Sequence, residues 1–208
     1  MCFWMQQSSD AQKLENRFGA KIKDRTQFAT AEKYSGFEHP NTPVIIDSER
    51  GYIQHFYWGL IPQWANNDDI KNYTLNARIE SLKDKPSFKD SVNKRCLVIT
   101  SGFYEWQWED KKGKKKTPYF ITTSDDEPFA FAGIYSNWLD KSTGEIIKTY
   151  SIVTTAANEL MRKIHNSKQR MPVILNRGNE QEWLNGMSLQ SFEKSDIELK
   201  ATNLQIVS

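Results

Sequence analysis

The sequence predicts an α+β fold, a strongly bent antiparallel sheet or partly closed β-barrel with peripheral helices. Three observations carry this. Short runs rich in β-branched and aromatic residues recur along most of the chain, bounded by Gly, Pro, Asp or Lys turns. Most of the connections between them are short, which favours antiparallel pairing. Helical periodicity is confined to a few short stretches, and no repeat, linker or composition break divides the chain, so residues 1–208 read as one domain.

The elements follow in order. After an N-terminal strand or arm, Ser9-Asp10 caps a helix whose apolar residues Ala11, Leu14 and Phe18 share a face and which Gly19 ends. Beyond a polar stretch, strands are predicted at Pro43 to Ile46, Tyr52 to Trp58, Arg95 to Thr100, Phe103 to Trp108, Tyr119 to Thr123, Phe129 to Tyr135 and Glu145 to Thr155. Helices are predicted at Ile79 to Val92, Ala156 to Ile164 and Asn179 to Leu184, and a further short strand at Met171 to Leu175. The lysine run from Lys111 to Lys116 falls between two strands and reads as a solvated hairpin tip rather than a binding patch.

Composition bounds the function. The 208 residues are 38% hydrophobic, 26% charged and 12% aromatic, which supplies a substantial core; packing accounts for most of the rings, and the surplus is available for stacking. Residues 1 to 30 show no basic region followed by an apolar run, and no stretch approaches about 18 apolar residues. A cytoplasmic location, no membrane partner and a monomeric state are expected. Two cysteines, Cys2 and Cys96, make no disulfide framework, and His39, His55 and His165 have no metal-ligand spacing, so no metal is expected. Net charge is only +2, but from Lys71 to Phe120 twelve Lys and Arg face six Asp and Glu. Arg78, Lys83, Lys85, Lys89, Lys94 and Arg95 are the candidates for contact with an anionic partner.

Four places carry chemistry. Cys2 directly follows Met1, and loss of Met1 leaves an α-amine and a thiol on one residue, a 1,2-aminothiol. These groups titrate at about 7.7 to 8.0 and about 8.5, so a minority of each is nucleophilic near neutral pH. With an aldehyde, the amine forms a Schiff base and the thiol closes a five-membered thiazolidine. A frayed, inert terminus is the alternative. Asn76-Ala77-Arg78-Ile79-Glu80, after Trp58 to Trp64, brings an amide and a guanidinium to the start of the predicted helix, a setting that favours phosphate; an N-cap and a surface ion pair explain either residue alone. Glu105 lies among the aromatics of Ser101 to Trp106, where desolvation raises a carboxyl pKa and suits it to acid/base work, unless it faces solvent. His165 follows a helix in a loop with Lys168 and Arg170, placed to donate to phosphate or move a proton, whereas His39 and His55 lack such company.

Taken together, Met1-Cys2, Trp58-Gly59 with Pro62 and Trp64, Asn76-Ala77-Arg78, Gly102-Phe103-Tyr104-Glu105-Trp106, Ser151 to Ala157, and His165 with Arg170-Met171-Pro172-Val173 resemble the SRAP family, the SOS response-associated peptidases or abasic site processing proteins. The resemblance covers nearly the whole chain. It implies autoprocessing that removes Met1, then capture of an abasic site in single-stranded DNA as a covalent thiazolidine at C1′ of the open sugar, with no cofactor because the reagent is part of the chain. It implies that Asn76 positions Cys2, Glu105 is the acid/base in ring opening and reversal, His165 assists near sugar and phosphate, and Arg78 holds the backbone. Trp64, Arg170, Phe3 and Trp4 are further DNA-contact candidates. The implied class is a peptidase-like hydrolase with lyase-type chemistry in the DNA damage response.

The sequence departs from the family pattern twice. Phe3-Trp4 follow Cys2 where many members have Gly-Arg, and Tyr34 to Pro40 occupy the region of the usual Asn-Val-Ala-Pro. Phe3 and Trp4 can stack on a base, but core filling is the preferred reading. Two other functions use the same residues. An N-terminal-nucleophile amidase or peptidase would turn the Cys2 thiolate on an external substrate, and a noncovalent nucleic-acid-binding module would be indifferent to Cys2.

Overall fold

A computed structural model describes residues 2–194 and 197–205. In chain order it runs β1 (Trp4–Gln7), α1 (Ala11–Phe18), β2 (Lys21–Ile22), β3 (Ala31–Ser35), β4 (Asn41–Ile46), β5 (Tyr52–Trp58) and β6 (Asn76–Arg78). There follow β7 (Arg95–Thr100), β8 (Gly102–Trp108), β9 (Lys116–Thr123), β10 (Phe129–Leu139), β11 (Ile146–Ala156), α2 (Glu159–Ile164), β12 (Arg170–Pro172), β13 (Ile174–Leu175), α3 (Glu180–Leu184) and β14 (Leu199–Asn203).

Five of these strands close on themselves. β11, β10, β7, β4 and β5 are antiparallel neighbours in that order, and a parallel pairing of β5 with β11, Tyr57 opposite Thr149 and Trp58 opposite Tyr150, completes the ring. Side chains reinforce the closing pair. The Trp58 and Tyr150 rings stack at 6.3 Å, the Tyr150 and Thr42 hydroxyls lie 2.7 Å apart, and the Trp58 indole N–H donates to the Leu75 carbonyl at 2.8 Å. That last bond draws in the next segment, so β6 pairs in parallel with β11, Asn76 opposite Ile152.

A second antiparallel sheet, ordered β14-β9-β8-β1-β3, packs on the barrel. Its inner face carries Met5, Phe103 and Ile121, all fully buried, and Phe103 meets the barrel's Phe131 edge to face at 5.5 Å. Barrel strands are buried on both faces. Cys96 and Val98 of β7 join this inner core, whereas Leu97 and Ile99 join an outer one with Leu14 of α1 and Trp183 of α3. Two-sided burial explains why the Arg95 to Thr100 strand reads as one apolar run instead of an alternation.

The bent sheet, the barrel and the capped first helix match expectation. Asp10 accepts from the Lys13 N–H at 2.8 Å and Gly19 ends the helix at φ 62°. The predicted helix at Ile79 to Val92 is absent; two short 3₁₀ turns, Ile79–Ser81 and Lys89–Ser91, stand in its place. Pro86 is the reason, since it removes a backbone donor and drives Lys85 away from helical geometry. Arg95, expected to offer charge to a partner, is only 3% exposed; it lies over the Trp183 ring and donates to the Trp183 and Met187 carbonyls. Strands β3 and β14 give little signal in the sequence because both are half-exposed edges with little apolar alternation. Among the described residues no helix is long and apolar enough to cross a membrane.

Barrel closure leaves no room at Gly133. A Cβ there would lie 2.6 Å from Cys96 Sγ and 2.7 Å from a Val98 methyl. Gly133→Ala is predicted to cost about 1–3 kcal/mol in urea unfolding, the range for overpacking. Adding Cys96→Ala should recover part of that loss. A double mutant whose losses simply add would contradict the assigned clash.

Candidate active site

The pairing of β1 with β8 brings the chain start to a buried carboxylate. Trp4 lies opposite Tyr104 and Met5 opposite Phe103, and alternation along β8 sends Phe103 and Glu105 inward while Tyr104 and Trp106 face out. Cys2, just upstream of β1, is fully buried, and its thiol makes a long 3.6 Å contact to the Trp4 carbonyl. Burial raises the Cys2 thiol pKa well above its ordinary value, and the nearby Glu105 charge raises it further. Met1, whose removal the sequence leads one to expect, lies outside the described residues.

Asn76 reaches Cys2 from the barrel side. Its side-chain N–H donates to the Cys2 carbonyl at 2.8 Å, while its amide oxygen is buried with no hydrogen-bond partner among the described residues. Asn76 and Arg78 stand in a short strand, and Arg78 leads into a single 3₁₀ turn instead of the expected long helix. Ala77 between them is fully buried, so Asn76 and Arg78 share the opposite face, and Arg78 is exposed on it.

Glu105 and His165 converge from two other elements. Asn158 caps α2 by accepting from the Met161 N–H, and His165 ends that helix with its N–H donating to the Met161 carbonyl at 2.7 Å. His165 Nε2 then lies 3.9 Å from a Glu105 carboxylate oxygen, with both residues more than nine-tenths buried. Burial drives the pair toward neutrality from both sides. It pushes the Glu105 pKa up to about 7 and pulls His165 down to about 4. The result is a carboxyl and an imidazole that both favour their uncharged forms.

The loop after α2 fixes the imidazole. His165 Nδ1 lies 2.8 Å from the Arg170 carbonyl oxygen and 3.3 Å from the Arg170 backbone nitrogen; the shorter contact favours the tautomer with its proton on Nδ1 and the Nε2 lone pair free to face Glu105. Arg170 is itself gripped: its guanidinium makes a two-pronged pair with Glu80 at 2.6 and 3.0 Å and donates to the Thr154 carbonyl at 2.7 Å. The guanidinium expected to contact DNA is thus engaged by the protein. Glu80 carries no signal of this in the sequence, because its partner is 90 residues away and only the pairing of β6 and β12 on β11 joins them.

The remaining expected contacts lie apart. Trp64 is about half exposed and donates to the Pro86 carbonyl at 3.3 Å; no hydrogen bond or ring contact joins it to Cys2, Asn76, Glu105 or His165. Phe3 stacks on exposed Phe37 at 4.9 Å while its inner side meets the core. Trp4 faces outward, edge to face with Trp106 at 6.3 Å, with the Lys33 ammonium 4.4 Å above its ring, so core filling describes Phe3 in part and Trp4 not at all. A cleft of about 820 Å³ lies elsewhere, lined by His39, His55, Tyr57, Lys71 and Lys148, and holds none of the four clustered residues. Among the described residues no three His, Cys, Asp or Glu side chains gather as a metal site would need.

The sequence model of the family described as SOS response associated peptidase (SRAP) matches residues 1–206. The chain belongs to the SRAP family. Among its relatives, the abasic site processing protein YoqW of Bacillus subtilis is 41% identical over 165 residues, covering 74% of this chain and 71% of that protein. The abasic site processing protein HMCES of Gallus gallus is 33% identical, covering 76% of this chain and 52% of that protein. A Bacteroides thetaiotaomicron crystal structure superposes with a TM-score of 0.88 at 36% identity, covering 97% of this chain and 91% of that one. This SRAP chain thus shares its fold with a solved relative along nearly its whole length.

The two shifted groups predict opposite pH dependences of stability. Glu105 binds its proton more tightly folded than unfolded, so its contribution is full below about 4.5 and lost as pH rises through about 7. His165 does the reverse: its contribution is full above about 6.5 and lost as pH falls through about 4. Glu105→Gln is fixed in the neutral form. Its stability relative to wild type should therefore increase between pH 4.5 and 8, by up to about 3 kcal/mol, as followed by urea unfolding. A wild-type-to-variant difference that stays flat with pH would place Glu105 in solvent.

Proposed function

We propose that this SRAP protein processes abasic sites in single-stranded DNA, forming a thiazolidine crosslink through Cys2 once Met1 is removed. The observation that carries the reading is convergence: Asn76 bonds to Cys2, the pairing of β1 with β8 lays Cys2 beside the strand that carries Glu105, and Glu105 faces His165, although the four come from separate stretches of the chain. The naming of relatives as abasic site processing proteins supports the same substrate.

The chemistry balances without a cofactor. The Cys2 amine adds to the C1′ aldehyde, and the Asn76 amide holds the residue through its carbonyl, with its second polar atom available to orient the amine. Protonated Glu105 gives its proton to the carbinolamine hydroxyl, which leaves as water and yields the iminium. Glu105, now a carboxylate, takes the thiol proton as sulfur attacks C1′, which neutralises the iminium and restores the carboxyl. Amine, thiol and aldehyde thus become thiazolidine plus water. A carboxyl near pH 7 suits both proton transfers. Neutral His165 is held to assist at the sugar, Arg170 and Glu80 serve to hold His165, and exposed Arg78 is the phosphate contact.

The peptidase alternative fares less well. A thiolate nucleophile acting on an external substrate is activated by positive surroundings that lower its pKa, whereas burial and Glu105 act the other way on Cys2. Peptidase-like action is proposed only for removal of Met1, and lyase-type strand cleavage only for an imine that fails to close.

Substitution separates the steps. Cys2→Ser protein lacking Met1 should give an imine trappable by borohydride and no stable adduct with an abasic oligonucleotide; a stable adduct would exclude the thiazolidine. Glu105→Gln should slow crosslinking by roughly 10² to 10⁴-fold and abolish the inflection of the rate near pH 7, with DNA affinity preserved. An unchanged pH profile would remove Glu105 from the chemistry. Arg78→Ala should weaken binding to damaged and undamaged strands alike and lower the salt slope of log affinity by about 0.7. His165→Ala should act mainly on the rate, and a variant that changes affinity alone would reverse that assignment.

A further inference from the structure

The lysine-rich hairpin between β8 and β9, which the sequence reads as a solvated tip, is built as a fixed extension of the site. Lys111, Lys112, Lys114 and Lys115 are exposed and form no ion pair among the described residues. The two carboxylates of the hairpin are engaged by the turn's own hydrogen-bond donors. Asp110 accepts from the backbone N–H groups of Lys112, Lys114 and Lys115, and Glu109 accepts from the Thr117 hydroxyl. The acids therefore shape the turn and leave the ammonium groups unmatched.

The turn is also anchored. Gly113, at φ 65°, sits so close to the Trp108 ring that a Cβ would lie 2.7 Å from it, and the Lys116 ammonium lies 5.4 Å from the same ring. At its base, the Trp108 N–H donates to the Asn166 side chain at 3.0 Å and the Asn166 amide donates to the Trp108 carbonyl at 2.8 Å, while Gln107 donates to the Lys163 carbonyl. Asn166 is the neighbour of His165. Strand β8 thus carries Glu105 at one point and the hairpin three residues on, and the loop bearing His165 and exposed Lys168 is clamped to that hairpin's base.

We propose that this hairpin is a second DNA-contact arm, which binds phosphates of the strand flanking the reacting sugar on one side. The proposal rests on the single-stranded DNA reading of the site. Lys115 folds back opposite Glu109, four residues on from Glu105, and Lys112 is seven residues on, so at about 3.3 Å per residue the lysines lie about 10–25 Å beyond Glu105 along the hairpin axis. With about 3.4 Å per nucleotide of a stacked strand, they should meet phosphates about three to seven nucleotides away. A pre-formed arm loses little conformational freedom on binding, and its contribution is electrostatic and independent of sequence.

The test is a salt titration of oligonucleotide affinity for wild type and for a variant with Lys111→Gln, Lys112→Gln, Lys114→Gln and Lys115→Gln, keeping Lys116 on its tryptophan. The variant should unfold at the wild-type midpoint and crosslink at the wild-type rate when DNA is saturating. Its salt slope should fall by about 0.7 for each phosphate it no longer neutralises, and only on strands that extend at least about three nucleotides to one side of the abasic site. Asn166→Ala, which keeps every lysine but frees the base, should lower affinity without changing the slope; a purely diffuse charge effect would leave it unaltered. An unchanged slope in the fourfold variant, or equal weakening on strands extended to either side, would overturn the arm. Wild type that binds undamaged strands with an arm-dependent slope yet never crosslinks would instead overturn the Cys2 chemistry and leave the arm standing.

Discussion

The antiparallel pairing of β1 with β8 is the constraint on which the site depends, because it lays the first residues of the chain along the strand that carries Glu105. Without it Cys2 would belong to an ordinary frayed terminus. With it, the thiol is withdrawn from solvent and the Cys2 carbonyl meets Asn76, itself placed by the pairing of β6 with β11 on the closed barrel. The Gly36 N–H holds the same segment from the other side by donating to the Phe3 carbonyl at 2.8 Å. Residues 2 and 3 are therefore held from two directions, by Asn76 and by Gly36.

Burial then sets the chemistry. A thiol, a carboxyl and an imidazole withdrawn from water each favour their uncharged forms, and the shifts are in the directions that desolvation dictates: Cys2 and Glu105 up, His165 down. An environment of this kind suits proton exchange between neutral partners and disfavours a standing thiolate. It also suits a reaction that expels water in one step and must not readmit it in the next. Arg170 illustrates the cost of precision: a cation attractive for binding DNA is committed to Glu80 and to its own carbonyl's hold on His165.

Much of this is legible in the sequence, for identifiable reasons. Asp10 and Gly19 announce their helix because capping is local, and the strands of the barrel announce themselves because two-sided burial demands continuous apolar runs. The burial of Glu105 can be suspected from its aromatic neighbours but not decided, since alternation allows either face. Asn76 reads as a helix start and stands in a strand, because the residues after it have helical composition and only Pro86 speaks against a helix. Glu80, Lys33 and Asn166 are invisible as contributors, since each acts through a partner that topology alone supplies. Arg95 misleads because charge on a sequence says nothing about a cation packed over Trp183.

The central claim is that one residue supplies two nucleophiles to one carbon. Intact mass of the purified protein before and after incubation with a single-stranded oligonucleotide bearing one abasic site tests it most directly. The account predicts a protein lacking Met1, and an adduct equal to protein plus oligonucleotide less one water, stable without reduction. An adduct that retains Met1, an adduct with no loss of water, or no adduct at all would contradict it.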